Sequence, residues 1–208
     1  MNARHYRTAL QRWLRVPIFD AEFACPFCDT TVDRFGDHCL VCACGGDRMK
    51  RHNLIRNEVF YFCAGAGLNP ELERPGLLQP RPLLGALAED GSRGDPHSRR
   101  PADVYLPRWR QGVPAALDFA VTSGLRDIVV DRSAQNGTAA AVVYEDFKRE
   151  YLDTERACEE EGIKFIPMII EADGGGWGPQ AQKTWNELAK CKAAITGELE
   201  STVARQLL

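Results

Sequence analysis

The stretch that decides the fold runs from Arg99 to Ser123. It opens with Arg99-Arg100-Pro101-Ala102-Asp103-Val104-Tyr105-Leu106 and closes with Ala115-Ala116-Leu117-Asp118-Phe119-Ala120-Val121-Thr122-Ser123. Both ends read as strands, and Pro107 to Pro114 reads as the turn between them. Folding this hairpin about Arg110 and Gln111 sets Asp103 opposite Asp118. Opposed side chains on one face of an antiparallel pair lie about 5 Å apart, and like charges there are destabilising. A bound divalent cation would resolve the conflict. Mg²⁺, or Mn²⁺ in its place, is a hard cation that takes one or two carboxylates plus substrate phosphates. The competing reading is two solvated acids on an exposed strand face.

Working outward, residues 138–161 read as one helix with an inward stripe of Ala140, Tyr144, Phe147, Tyr151, Thr154 and Cys158, ending at Gly162. Lys164 to Ile170 is a nearly all-apolar run, expected of a strand buried on both faces. Strand, helix and strand make a βαβ unit. On the other side, residues 50–64 read as a helix with an Ile55, Val59, Phe62 and Cys63 stripe. Residues 71–80 read as a weak strand, and 81–100 as a mobile polar loop rich in Gly, Pro and Arg. Gly174 to Trp177 is a turn, and 179–197 a closing helix. The fold class is α/β, a small mixed sheet flanked by helices. Three parts are expected: a basic N-terminal helix in 1–20, a cysteine-rich knuckle in 21–47 and the α/β domain in 48–208.

The composition narrows the class. A chain of 208 residues with 44% hydrophobic and 26% charged residues is that of a globular protein. No run of about 18 apolar residues occurs, so no membrane span or membrane partner is expected. Met1 to Arg7 lacks the apolar core of a secretory signal, so an intracellular location is expected. Net charge is −3, so a nucleic-acid partner would have to be held by local patches: Arg48 to Arg56, Arg93 to Arg100, and Arg108 with Arg110.

Five of the eight cysteines fall between positions 25 and 44. Such a cluster beside a histidine reads as a metal site in a reducing compartment rather than a disulfide framework. Cys25-Pro26-Phe27-Cys28 is one half-site, and His38-Cys39-Leu40-Val41-Cys42 supplies His38 and Cys42 four apart. The set Cys25, Cys28, His38 and Cys42 fits a closed tetrahedral zinc site, structural because no position is left for water. Cys44 remains an alternative to Cys42.

Position 120, where an Asp-x-Lys pattern would place a phosphate-steadying cation, holds alanine. The nearest substitute is Lys148, which borders the buried stripe of the 138–161 helix. Its alternative is a surface lysine. Glu58 borders the first helix stripe and could be a third acid; its alternative is a solvated helix charge. Arg51 and His52 sit at the start of that helix, where free N–H groups and a positive dipole end suit a DNA phosphate. A satisfied, buried histidine is the alternative for His52.

The order Cys-x₂-Cys, His-x₃-Cys, Arg51-His52-Asn53, Arg-Pro-x-Asp, Asp118, then Lys148 and Tyr151 on a helix resembles the restriction-like endonuclease domain of non-LTR retrotransposons. That domain has the PD-(D/E)XK nuclease fold. The resemblance covers roughly residues 25–171. It implies a Mg²⁺- or Mn²⁺-dependent DNA endonuclease in which Asp103 and Asp118 hold the metal. Lys148 would be the displaced lysine, and Glu58 loosely matches a first-helix acid. Arg51, His52, Arg99, Arg100 and Tyr151 would contact DNA. It also implies a nuclear address, and a homodimer would explain cutting two strands. The chain carries Ala102 between Pro101 and Asp103, Ala120 in the lysine position and no reverse transcriptase, so it reads as a detached piece of such an element. A zinc-stabilised nucleic-acid-binding module without activity is the second expectation, and a zinc-built protein scaffold the third.

Overall fold

The computed structural model describes residues 2–79, 101–172 and 176–206. The loop 81–100, with Arg99 and Arg100, and the glycines 174–175 lie outside the described residues. In chain order the elements are α1 (Ala3–Trp13), β1 (Phe23–Ala24), β2 (Thr31–Val32), α2 (Asp37–Val41), α3 (Asp47–Gly65), β3 (Glu71–Leu72), β4 (Val104–Arg110) and β5 (Val113–Thr122). Then come α4 (Val130–Gln135), α5 (Ala139–Glu150), α6 (Thr154–Glu160), β6 (Lys164–Glu171), α7 (Pro179–Thr196) and α8 (Glu200–Arg205).

β3, β4, β5 and β6 form one mixed sheet in that spatial order. β4 and β5 are antiparallel, and β5 and β6 run parallel with Asp118 beside Pro167. Pro167 has no N–H to give to an inner ladder, and β6 lies at the sheet edge, where a proline is tolerated. Successive residues of a strand face opposite sides, which sorts the core. Leu117 and Phe119 of β5 pack with Val59, Phe62, Trp185 and Leu188 of α3 and α7. Ala116, on the other face, packs with Tyr105, Cys158 and Phe165. Asp118 shares the parity of Ala116 and so points to the α5–α6 side.

The hairpin differs from its expected form in two ways that compensate. The turn is Gln111-Gly112, both with positive φ, the geometry of a tight two-residue hairpin. It lies one residue later than the expected fold point. A bulge between Leu106 and Arg110 then absorbs two extra residues on β4, so the inner pairs are Val104 with Leu117 and Leu106 with Ala115, as expected. Pro107, which cannot donate to a ladder, lies in that bulge.

Other boundaries are corrected. The 138–161 helix is two helices, because Leu152 and Asp153 take left-handed conformations with φ of 53° and 60°. Aspartate tolerates that region better than most residues. The predicted stripe is therefore broken. Ala140, Ala141 and Glu145 are the buried positions of α5, while Phe147 and Tyr151 are about half exposed. The expected strand over 71–80 shrinks to Glu71–Leu72, and α4 and α8 lie where no element was expected. Buried Glu145 accepts the Gln180 backbone N–H at 3.0 Å, which satisfies an open donor in the first turn of α7 and fixes α5 against it.

Candidate active site and metal knuckle

α3 starts at Asp47, not at 50, so His52 lies in its second turn rather than at its N-terminus. From there His52 Nε2 reaches Asp103 Oδ1 at 3.1 Å. A carboxylate oxygen accepts, so Nε2 carries the proton. The other carboxylate oxygen, Oδ2, accepts the Phe119 backbone N–H at 2.7 Å. Asp103 precedes β4, and its own N–H goes to Leu117 O at 2.9 Å. The two acids are therefore neighbours but not a ladder pair. From α5, Lys148 Nζ lies 2.7 Å from Asp118 Oδ2.

This arrangement holds two carboxylates, one ammonium and one imidazole in partial burial. Burial raises the Asp118 carboxyl, the Lys148 ammonium opposes that, and the Asp103 carboxylate adds to it, leaving Asp118 at about 6. Burial lowers Lys148, but the paired Asp118 more than offsets it. The hydrogen bond to Asp103 raises His52 against the effect of burial.

A folded-state carboxyl above its unfolded value stabilises the fold at low pH and loses that contribution as pH rises. For Asp118 the window runs from the ordinary aspartate value of 3.8 to about 6. The metal-free protein is expected to lose about 3 kcal/mol there through this group. Asp33 and Asp37 are held below the usual range and act in the opposite sense, so the comparison must be with Asp118→Asn. Urea midpoints from pH 4 to 7 without added divalent ion should fall relative to that variant. A wild-type midpoint that rises relative to it would contradict the buried acid pair.

The acids lie in a cleft of about 1010 Å³ that extends to the knuckle, with His38 and Leu40 on its far wall. Arg48, Arg51, Arg126 and Lys148 also line it. Against a net charge of −3, this is a local gathering of cations in the cleft that holds the acids. Arg126 was not singled out in the sequence. Its guanidinium lies 5.6 Å from the Tyr144 ring centre, a contact that no local pattern predicts. Glu58 is exposed and is not a wall residue of the cleft. Tyr151 also lies off the cleft wall and packs on Phe147, ring centres 5.4 Å apart. The structure thus brings Arg51, His52, Asp103, Asp118 and Lys148 together, and leaves Glu58 and Tyr151 outside.

In the knuckle, Cys25, Cys28, His38 and Cys42 place one donor atom each within 4.8 Å of all the others. The Cys25–Cys42 and Cys28–Cys42 sulfur separations are 3.9 and 3.8 Å. Sulfurs at 2.3 Å from a tetrahedral zinc are about 3.8 Å apart. The Thr30 backbone N–H and hydroxyl bring the Cys28 thiol down to about 6. Cys42 accepts the Cys44 N–H, yet burial and the neighbouring Cys28 and Cys25 push it up to about 11. Three thiolates crowd one another unless a cation sits between them, so this donor set fits zinc. Cys39 and Cys44 are exposed and outside the cluster, which settles the choice between Cys42 and Cys44. Asp33 accepts the His38 N–H at 2.9 Å and the Phe35 N–H at 2.8 Å, holding the loop that presents the histidine.

No family model matches the chain, and no curated protein matches it. Among the described residues, no helix is long and apolar enough to cross a membrane.

Proposed function

We propose that the protein is a metal-dependent DNA endonuclease of the PD-(D/E)XK type, with a structural zinc at Cys25, Cys28, His38 and Cys42. The observation that carries this reading is the meeting of Asp103, Asp118 and Lys148 in one cation-lined cleft. Lys148 reaches Asp118 from α5, which supports its standing in for the lysine missing at Ala120. Two half-buried carboxylates form a hard donor set that fits Mg²⁺ or Mn²⁺. When bound, such an ion polarises the scissile phosphate and lowers the pKa of water.

The chain's own residues supply the rest. Phe119 N–H fixes one oxygen of Asp103. Lys148 carries positive charge beside the acids, where the charge of the attacked phosphate grows. Arg48, Arg51 and Arg126 would hold DNA backbone, which positions the duplex without reading sequence. A nuclear address and a homodimer suited to cutting both strands are part of this proposal and come from the family resemblance alone.

The test is nicking of supercoiled plasmid at low salt with Mg²⁺ or Mn²⁺, wild type against Asp118→Asn and Lys148→Ala. Folded, zinc-loaded wild type that cuts with neither ion would sink the reading. One observation favours a second reading, a binding module without activity. Each acid is already matched by a protein cation, Lys148 on Asp118 and His52 on Asp103. That reading requires salt-sensitive DNA binding without cleavage.

A further inference from the structure

Asp103 stands on two supports of different kinds. Phe119 N–H belongs to the central strand and cannot move without breaking the sheet. His52 belongs to α3, a separate element that touches both the sheet and the knuckle helix α2. The residue before it, Arg51, donates to the backbone carbonyl of Leu40 in α2. Arg51 Nε is buried with no hydrogen-bond partner among the described residues, so the Nη2 bond to Leu40 is the contact that anchors this guanidinium end. Leu40 lies between two knuckle ligands, His38 and Cys42. Two adjacent residues of one helix turn therefore join the metal knuckle to one acid of the cleft.

We propose that His52 is a positioning residue for Asp103, and that Arg51 makes this positioning depend on the knuckle. The inference rests on the nuclease reading for the role of Asp103 and adds a residue and a coupling to it. With Oδ2 held by Phe119, the rotation of the carboxylate is set by what holds Oδ1. At 3.1 Å, His52 Nε2 limits that rotation, and each oxygen keeps a further lone pair for a cation at the cleft wall that Asp103 lines. Supports of this kind, one shell out from a metal ligand, are typically worth 10–100-fold in metal affinity. Loss of the knuckle ion would free the α2 carbonyl, loosen Arg51 and let His52 drift from Asp103. Coupling between two sites acts in both directions.

The experiment measures Mn²⁺ binding to the full-length, zinc-loaded protein by calorimetry, without DNA, beside plasmid nicking at saturating Mn²⁺. His52→Ala is expected to weaken Mn²⁺ binding about 10-fold or more. His52→Gln, whose amide N–H₂ reaches nearly as far as Nε2–H, is expected to recover most of that loss. Arg51→Met, which keeps the stem and loses the donor, is expected to weaken binding by a smaller factor. Retained zinc and a cooperative thermal transition in each variant establish folding. The positioning role is overturned if folded His52→Ala binds Mn²⁺ like the wild type, or if His52→Gln is as weak as His52→Ala. Wild-type binding in Arg51→Met overturns the link to the knuckle. Absence of Mn²⁺ binding by the wild type overturns the nuclease reading together with this one, a result distinct from the others.

Discussion

Asp118→Asn is expected to abolish divalent-dependent plasmid nicking, by about 10³-fold or more, while leaving zinc content and fold intact. A thousandfold loss corresponds to about 4 kcal/mol of transition-state stabilisation. The substitution is nearly isosteric, and Asp118 is a costly residue for the metal-free fold. Its carboxyl is raised by burial and by Asp103 but supported by Lys148, so the neutral amide removes a repulsion together with an ion pair, and retained zinc with a cooperative thermal transition establishes folding. A loss of activity can then be assigned to the chemistry and not to unfolding. Lys148→Ala is expected to lower the rate by about 10²–10³, the usual effect of removing one group aimed at growing transition-state charge. In the absence of DNA it should raise Mn²⁺ affinity, because it removes the ammonium that competes for Asp118. If Asp118→Asn nicks at the wild-type rate, the acid pair is not a catalytic metal site. If Lys148→Ala alone does so, the displaced-lysine idea fails and the acids stand without it.

The second large effect concerns the knuckle. Between residues 17 and 46, Val32 is the only fully buried hydrophobic side chain. One valine cannot offset the ordering cost of such a segment, which is of order 1 kcal/mol or more per residue. Zinc binding to finger-like peptides contributes about 10–16 kcal/mol at neutral pH, and there metal affinity is folding energy. One zinc per chain is therefore expected by metal analysis. Cys25→Ser or Cys28→Ser is expected to lose the ion and melt residues 18–46. Cys44→Ser, at an exposed thiol outside the cluster, is expected to keep both. The α/β body should survive, since its core of Leu106, Leu117, Ile166 and Met168 is independent of the knuckle. Amide exchange would show this as fast exchange confined to the knuckle and the first turns of α3. Zinc retained in Cys25→Ser but lost in Cys44→Ser would overturn the ligand assignment.

Local patterns made much of the architecture legible. The apolar run of β6 is hydrophobic on both sides because helices cover one face and the other alike, and it reads as a buried strand. The half-site spacings of the knuckle reflect the reach of a single short loop. Lys148 was placed near Asp118 because a βαβ crossover lays its helix over the strand it leaves. The hairpin register survived a misplaced turn only because the bulge at Pro107 shifted it back. Periodicity carries no mark of an extra pair of residues, so that agreement owed something to compensation.

What the sequence determined by itself was the main helices and strands of the α/β body, the acid-bearing hairpin, and the knuckle donors Cys25, Cys28 and His38 with Cys42 or Cys44 as the fourth, because each is written in residues near one another along the chain. Only the tertiary structure decided that His52 faces Asp103 rather than a helix end, and that Glu58 and Tyr151 lie off the cleft. It also decided that Arg51 reaches into the knuckle and that the long helix breaks at Leu152 and Asp153. His52 and Asp103 are 51 residues apart. A hydrogen bond across that distance depends on where α3 begins, how it rotates and how the sheet seats it. Those are properties of the packed chain, set by many weak contacts at once, and no short window of sequence contains them.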